Sequence, residues 1–203
     1  MSEYIKFSCE RAATEITSFD RLAELNAHRR KLLQLGLIGV DPNGIGFGNL
    51  SVREGATDNF YITGSATGGV HELTLAHCAK VVACDFERNR IRYEGSALPS
   101  SESLTHGAIY ESDATAAAAI HCHNSKLWAA LLNQAPTTSK AAEYGTPGMA
   151  YEIMQLFTRT NVQSRKIVIM AGHEGGILTF GKDLEETFAV LMRERETIIP
   201  ESQ

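Results

Sequence analysis

Ala116-Ala117-Ala118-Ala119-Ile120-His121-Cys122-His123 is an apolar run that ends in two histidines two residues apart. A short run of this character suits a buried strand, and residues i and i+2 of a strand leave the same face. Both imidazoles would then stand side by side on a rigid element, with Cys122 pointing the other way. Two neighbouring imidazoles suit a metal ion, zinc first, which takes a third ligand and keeps a position open in catalytic sites. The competing explanation is that both are satisfied core or surface histidines, which is more natural for one histidine than for a pair.

Composition narrows the classes. The 203 residues are 43% hydrophobic, enough for one domain with a sizeable core. A net charge of -5 and the lack of a basic cluster argue against nucleic-acid binding. No N-terminal apolar region resembles a signal peptide and no run approaches a membrane span, so a cytoplasmic protein is expected. Cys9, Cys78, Cys84 and Cys122 are spaced too irregularly for a disulfide framework or a zinc knuckle and read as reduced.

Neither internal repeats nor an interdomain linker are visible, so one domain is expected. Leu22, Leu25, Leu32 and Leu33 form a stripe that predicts a helix from Phe19 to Leu35, capped by Ser18 or Asp20 and stopped by Gly36. Short strands are expected at 50–53 and 60–63, and a hairpin pairs 81–85 with 90–93 around Glu87-Arg88-Asn89. Helices are expected at 101–111, 147–158 and 184–198, and strands at 116–123 and 166–171. Such an order predicts a central, mainly antiparallel sheet with helices on both sides.

Other candidate residues flank the pair. His173 ends the apolar run 166–172 and precedes Glu174-Gly175-Gly176, which suits a ligand-facing turn or simply a loop. Pro99-Ser100-Ser101-Glu102 opens a helix; the serines read as caps, and their hydroxyls with free backbone N–H groups could also hold an anion. Glu102 complements the helix dipole by the same local logic, and His106, one turn on, reads as core. The Gly48-Asn49 and Thr63-Gly64-Ser65 turns could add donors to an anion pocket, but Gly44-Ile45-Gly46-Phe47-Gly48 precedes a strand and is not a nucleotide loop.

Together, Gly48-Asn49-Leu50-Ser51-Val52-Arg53, Ile62-Thr63-Gly64-Ser65, Pro99-Ser100-Ser101-Glu102 with His106, and His121-Cys122-His123 resemble the class II aldolase/adducin family, which includes sugar-phosphate aldolases. The resemblance runs from about residue 20 to residue 196. It implies a single three-layer α/β/α domain, a zinc-type divalent metal ion, and homotetramers with sites near subunit interfaces. His121, His123 and His173 would be the metal ligands and Glu102 the catalytic acid/base. Gly48, Asn49, Thr63, Gly64, Ser100 and Ser101 would line a phosphate pocket. The implied activity is that of a metal-dependent carbon–carbon lyase acting on a small, phosphorylated, ketose-like substrate through a metal-stabilised enediolate. The same scaffold also serves sugar-phosphate dehydratases, epimerases and a non-catalytic adducin-like binding module. Two departures stand out. Gly172-His173-Glu174 replaces the family's Asn-His-Gly, and the stretch from His123 to His173 is short. Tyr144 is the nearest candidate there for the family's general-acid tyrosine.

Overall fold

The computed structural model describes residues 6–198. In chain order the elements are β1 (Ser8–Arg11), α1 (Leu22–Gln34), β2 (Gly39–Val40), β3 (Gly46–Phe47), β4 (Asn49–Arg53), β5 (Phe60–Thr63), a 3₁₀ turn (Leu75–His77), β6 (Cys78–Asp85), β7 (Arg90–Glu94), α2 (Ser103–Ser112), β8 (Ala118–His123), α3 (Ser125–Leu131), α4 (Pro147–Arg159), α5 (Val162–Arg165), β9 (Ile167–Ile169), β10 (Gly176–Gly181) and α6 (Leu184–Ile198). The sheet order is β1-β7-β6-β5-β4-β8-β10-β9, and β2 pairs with β3 separately. Among the strand pairs of the described residues, β1–β7 alone is parallel, and an isolated bridge also joins Thr137 to Ile169 in parallel. The expected central, mainly antiparallel α/β sheet with helices on both faces is what forms.

Strand alternation builds two cores. On β8, Ala118, Ile120 and Cys122 join Leu25 and Leu32 of α1, Leu127 of α3, and Leu184, Val190 and Leu191 of α6. Ala119 faces the opposite side, with Leu104, Ala108 and Ile109 of α2 and Met149, Ile153 and Leu156 of α4. Each of these leucine, isoleucine, valine and methionine side chains, once buried, is worth about 1.5–3 kcal/mol, and each alanine less. Cys122 therefore points away from the flanking histidines, as the alternation requires. All four cysteines are free. Among the described residues no helix is long and apolar enough to cross a membrane.

The run 48–53 has a structural task. Ser51 Oγ lies 2.6 Å from both His106 Nδ1 and the Tyr110 hydroxyl, so β4 grips the middle of α2. Arg53 Nη2 donates to the Tyr110 carbonyl at 2.8 Å, and Nη1 to the Asp113 and Ala116 carbonyls, gripping its end. His106 is a core residue, as expected, and burial pushes its imidazole down to about 3, so it stays neutral. These bonds fix α2, and with it the residue at its start, against the sheet.

Helix α1 starts later than the leucine stripe suggests. Neither Ser18 nor Asp20 caps it; Arg21 holds the cap position without a side-chain cap bond, and its guanidinium pairs with Glu24. The short elements β1, β2, β3, α3, α5 and β10 were not expected from the sequence.

Candidate active site

Strand β8 lies between β4 and β10, with Asn49 opposite His121 and Gly176 opposite His123. Strands β9 and β10 are antiparallel neighbours, and the turn between them carries His173. That turn is closed by three backbone bonds, Met170 N–H to the Gly176 carbonyl, His173 N–H to the Met170 carbonyl, and Gly176 N–H to the His173 carbonyl. Gly176 lets the ring settle against the backbone, since a Cβ there would stand 2.5 Å from His173 Cδ2. His123 Nε2 consequently lies 3.0 Å from His121 Nε2 and 2.9 Å from His173 Nε2. The β10 glycine is thus a positioning element for the third imidazole. If the three rings hold a divalent metal, Gly176→Ala should weaken that affinity about 10- to 100-fold, the usual effect of disturbing a ligand's support. A competition titration against a chromophoric chelator checks this, and an unchanged affinity would show that the ring is placed by other contacts.

Burial, helped by mutual repulsion, drives the His121 imidazole well below its ordinary range and His173 down to about 3; burial alone brings His123 to about 4. All three rings are neutral at neutral pH, the form that ligates metals. Their ligand nitrogens lie within 4.8 Å of one another, and no other such group of three occurs among the described residues. Zn–N bonds of 2.0–2.1 Å in tetrahedral array would set neighbouring nitrogens about 3.3 Å apart. Three neutral nitrogen donors at this spacing could hold a divalent ion, and the donor set fits zinc chemistry.

Glu102 sits at the mouth of α2 and is only 2% exposed. Its Oε2 accepts a 2.7 Å bond from the Thr105 hydroxyl, while Oε1 is buried without a partner. Burial pushes the carboxyl up to about 7, against the opposing pull of the Thr105 bond and Lys6. A half-bound carboxyl poised near neutrality can take or give a proton. The dipole-complementing role suggested by its helix position is secondary to this burial.

One cavity of about 550 Å³ collects most of the candidates: Gly48, Asn49, Gly64, Ser100, Ser101, Glu102, His121, His123 and His173. Thr63 is not on its wall; its hydroxyl accepts the Leu50 N–H at 3.3 Å. The Gly64 and Ser65 amides are spent on the His77 and Leu98 carbonyls, both at 2.8 Å. Ser100 Oγ accepts the Glu102 N–H at 3.3 Å, a turn bond ahead of α2; Glu102 itself holds the cap position and no side chain caps the helix, so the expected serine cap does not form. Sequence reasoning missed the β2–β3 hairpin wall, including Phe47, whose ring lies 5.6 Å from that of His123. Glu174 is exposed and lies off the cavity wall. Tyr144 is on the wall, its ring 4.5 Å from that of His173 and covered by Lys6 Nζ at 4.0 Å. Gly172 brings Tyr144's loop in, because a Cβ there would meet the Ala142 carbonyl oxygen at 1.9 Å.

The sequence profile of the class II aldolase and adducin N-terminal domain matches residues 34–196. The chain belongs to this family. No curated protein matches it. Among solved structures, an L-fuculose 1-phosphate aldolase superimposes with a TM-score of 0.66 at 24% identity, over 90% of this chain and 84% of that one. YgbL from Klebsiella pneumoniae, described as a candidate aldolase/epimerase/decarboxylase, gives 0.64 at 19% identity over 87% and 86%. The L-fuculose 1-phosphate aldolase from Glaciozyma antarctica PI12 gives 0.58 at 16% over 90% and 76%. At these identities the likeness speaks for the fold, which in this class II aldolase family is typically paired with divalent-metal dependence.

Proposed function

We propose that this chain is a metal-dependent carbon–carbon lyase of the class II aldolase type, acting on a small phosphorylated ketose-like substrate. The observation that carries this reading is the meeting of three neutral imidazoles and a half-partnered, near-neutral Glu102 in one cavity. His121, His123 and His173 are the proposed metal ligands. A divalent ion, zinc or another, held there would supply Lewis acidity toward the substrate's carbonyl and neighbouring hydroxyl oxygens. Glu102 Oε1 takes a proton from the carbon beside the carbonyl in the condensation direction and returns it in cleavage. Thr105 keeps the other oxygen fixed, so the reactive one stays aimed. Gly48, Asn49, Ser100 and Ser101 hold the phosphate end with backbone and hydroxyl donors, Gly64 lines it with its amide already spent, and Thr63 supports that wall from behind. Phe47 and Tyr144 screen the imidazoles from water.

Product analysis on metal-loaded protein with a panel of ketose phosphates tests this. Two carbonyl fragments are expected. A single dehydrated ketone would make it a dehydratase, and a stereoisomer an epimerase, both using the same proton transfer. No turnover on any member, with metal bound, would favour an adducin-like binding module. Homotetramer formation and a cytoplasmic location remain proposals drawn from the family resemblance and the sequence.

A further inference from the structure

The charged side chains on the cavity wall are Asp41 and Glu102; among the described residues no lysine or arginine lies on it. Asp41 is turned to its own hairpin, its Oδ1 accepting the Asn43 and Ile45 amides. A phosphate held there by neutral donors would gain from a positive charge nearby, and one stands behind the wall. Arg29, on α1, is 1% exposed. Its Nη2 donates to the Thr67 carbonyl at 2.9 Å, the Gly68 carbonyl at 3.3 Å and the Val70 carbonyl at 2.9 Å, and its Nε has no partner. Thr67 and Gly68 themselves line the cavity.

A buried guanidinium ordinarily has a carboxylate beside it, because desolvating an unpaired charge is costly. Among the described residues none is in ion-pair reach of Arg29. The nearby Glu72 is engaged by Arg30 Nη1 at 2.7 Å. Burial accordingly lowers the Arg29 pKa. The carbonyls that receive Arg29 also orient the turn. In a trans peptide the N–H opposes the C=O, so the Gly68 amide points away from the guanidinium. Among the described residues that amide has no backbone partner.

We infer that Arg29 is a positioning and counter-charge residue for the cavity's anion end: it holds the 64–70 turn by its carbonyls and supplies, from behind, the positive charge that a phosphate-bearing ligand completes. This rests on the phosphate-pocket reading above and makes the phosphate group itself, rather than a neutral sugar tail, the preferred occupant.

Calorimetric titration with inorganic phosphate tests it, using metal-loaded protein with saturating acetohydroxamate so that phosphate cannot take open metal positions. Wild type, Arg29→Gln and Arg29→Lys are compared. Gln keeps a neutral donor for the carbonyls and Lys keeps the charge. Phosphate affinity should fall about tenfold or more in Arg29→Gln and stay within about threefold in Arg29→Lys, with metal content equal in all three. If circular dichroism shows that Arg29→Gln does not fold, citrulline at position 29 keeps the Nε–H and one terminal NH2 for the carbonyls that Nη2 now serves while removing the charge, and the same loss is expected. Wild-type affinity in the neutral variant would overturn the role of Arg29 while leaving the pocket in place. No phosphate binding by wild type would overturn the pocket and this inference together.

Discussion

Replacing Glu102 by Gln should lower turnover about 100- to 10,000-fold while leaving metal content unchanged, and should make the metal-free protein more stable above neutral pH. Gln fits the space and still accepts the Thr105 hydroxyl, but it cannot carry a proton to or from substrate carbon. The stability effect follows from the raised carboxyl, at about 7 rather than 4.5. The folded state holds that proton more tightly than the unfolded chain does. The stabilisation from the bound proton is complete below pH 4.5 and is lost as the pH climbs from 4.5 to 7. A non-titrating Gln escapes that loss, so the variant's advantage should grow through this window to about 3 kcal/mol at pH 8. Denaturant melts of metal-free protein at a series of pH values read this directly. Equal stability at pH 8 would mean that Glu102 ionises freely in the folded protein, and retained turnover would remove it from the chemistry.

His123→Ala should abolish both stoichiometric metal binding and turnover. Its Nε2 is the shared neighbour of the other two, 3.0 Å from His121 and 2.9 Å from His173. Without it only two imidazoles remain, their ring centroids 5.3 Å apart, and a zinc ion there would lose one of three protein ligands. Combining His123→Ala with Glu102→Gln should cost no more turnover than His123→Ala alone, since on this reading the acid/base acts only on a substrate that the metal end has positioned. Steady-state assays of the two single variants and the double check this. Additive losses would mean that Glu102 and the histidines serve separate processes.

The elements that sequence revealed are those whose pattern is local. The Leu184–Ile198 helix and the Phe60–Thr63 strand were expected at their observed bounds, because an amphipathic period and a β-branched, aromatic run speak for themselves. Strand β10, Gly-Ile-Leu-Thr-Phe-Gly, gives no such signal: a short apolar run between glycines is equally compatible with several structures, and its pairing with β8 is long-range. Its absence from the expectation left His173 without a fixed place, although the glycines around it were the visible clue. Strand β1 is wholly exposed and polar, and only its parallel pairing with β7 defines it. At the site, the residue types were legible but their partners were not. Glu102 resembled a helix-start carboxylate until its burial was seen, Gly64 offered an amide that the His77 carbonyl already holds, and Thr63 turned inward. Arg29 carried no signal at all within a charged stretch of an amphipathic helix.

The measurement that bears most directly on the three-histidine centre is elemental analysis of untagged wild type beside His123→Ala and Glu102→Gln, each after reconstitution with zinc and exhaustive dialysis at neutral pH. About one ion per chain is expected in wild type and Glu102→Gln, and none in His123→Ala. Wild type that retains no zinc, manganese or other divalent ion would contradict a metal centre at His121, His123 and His173 and return the chain to a binding role.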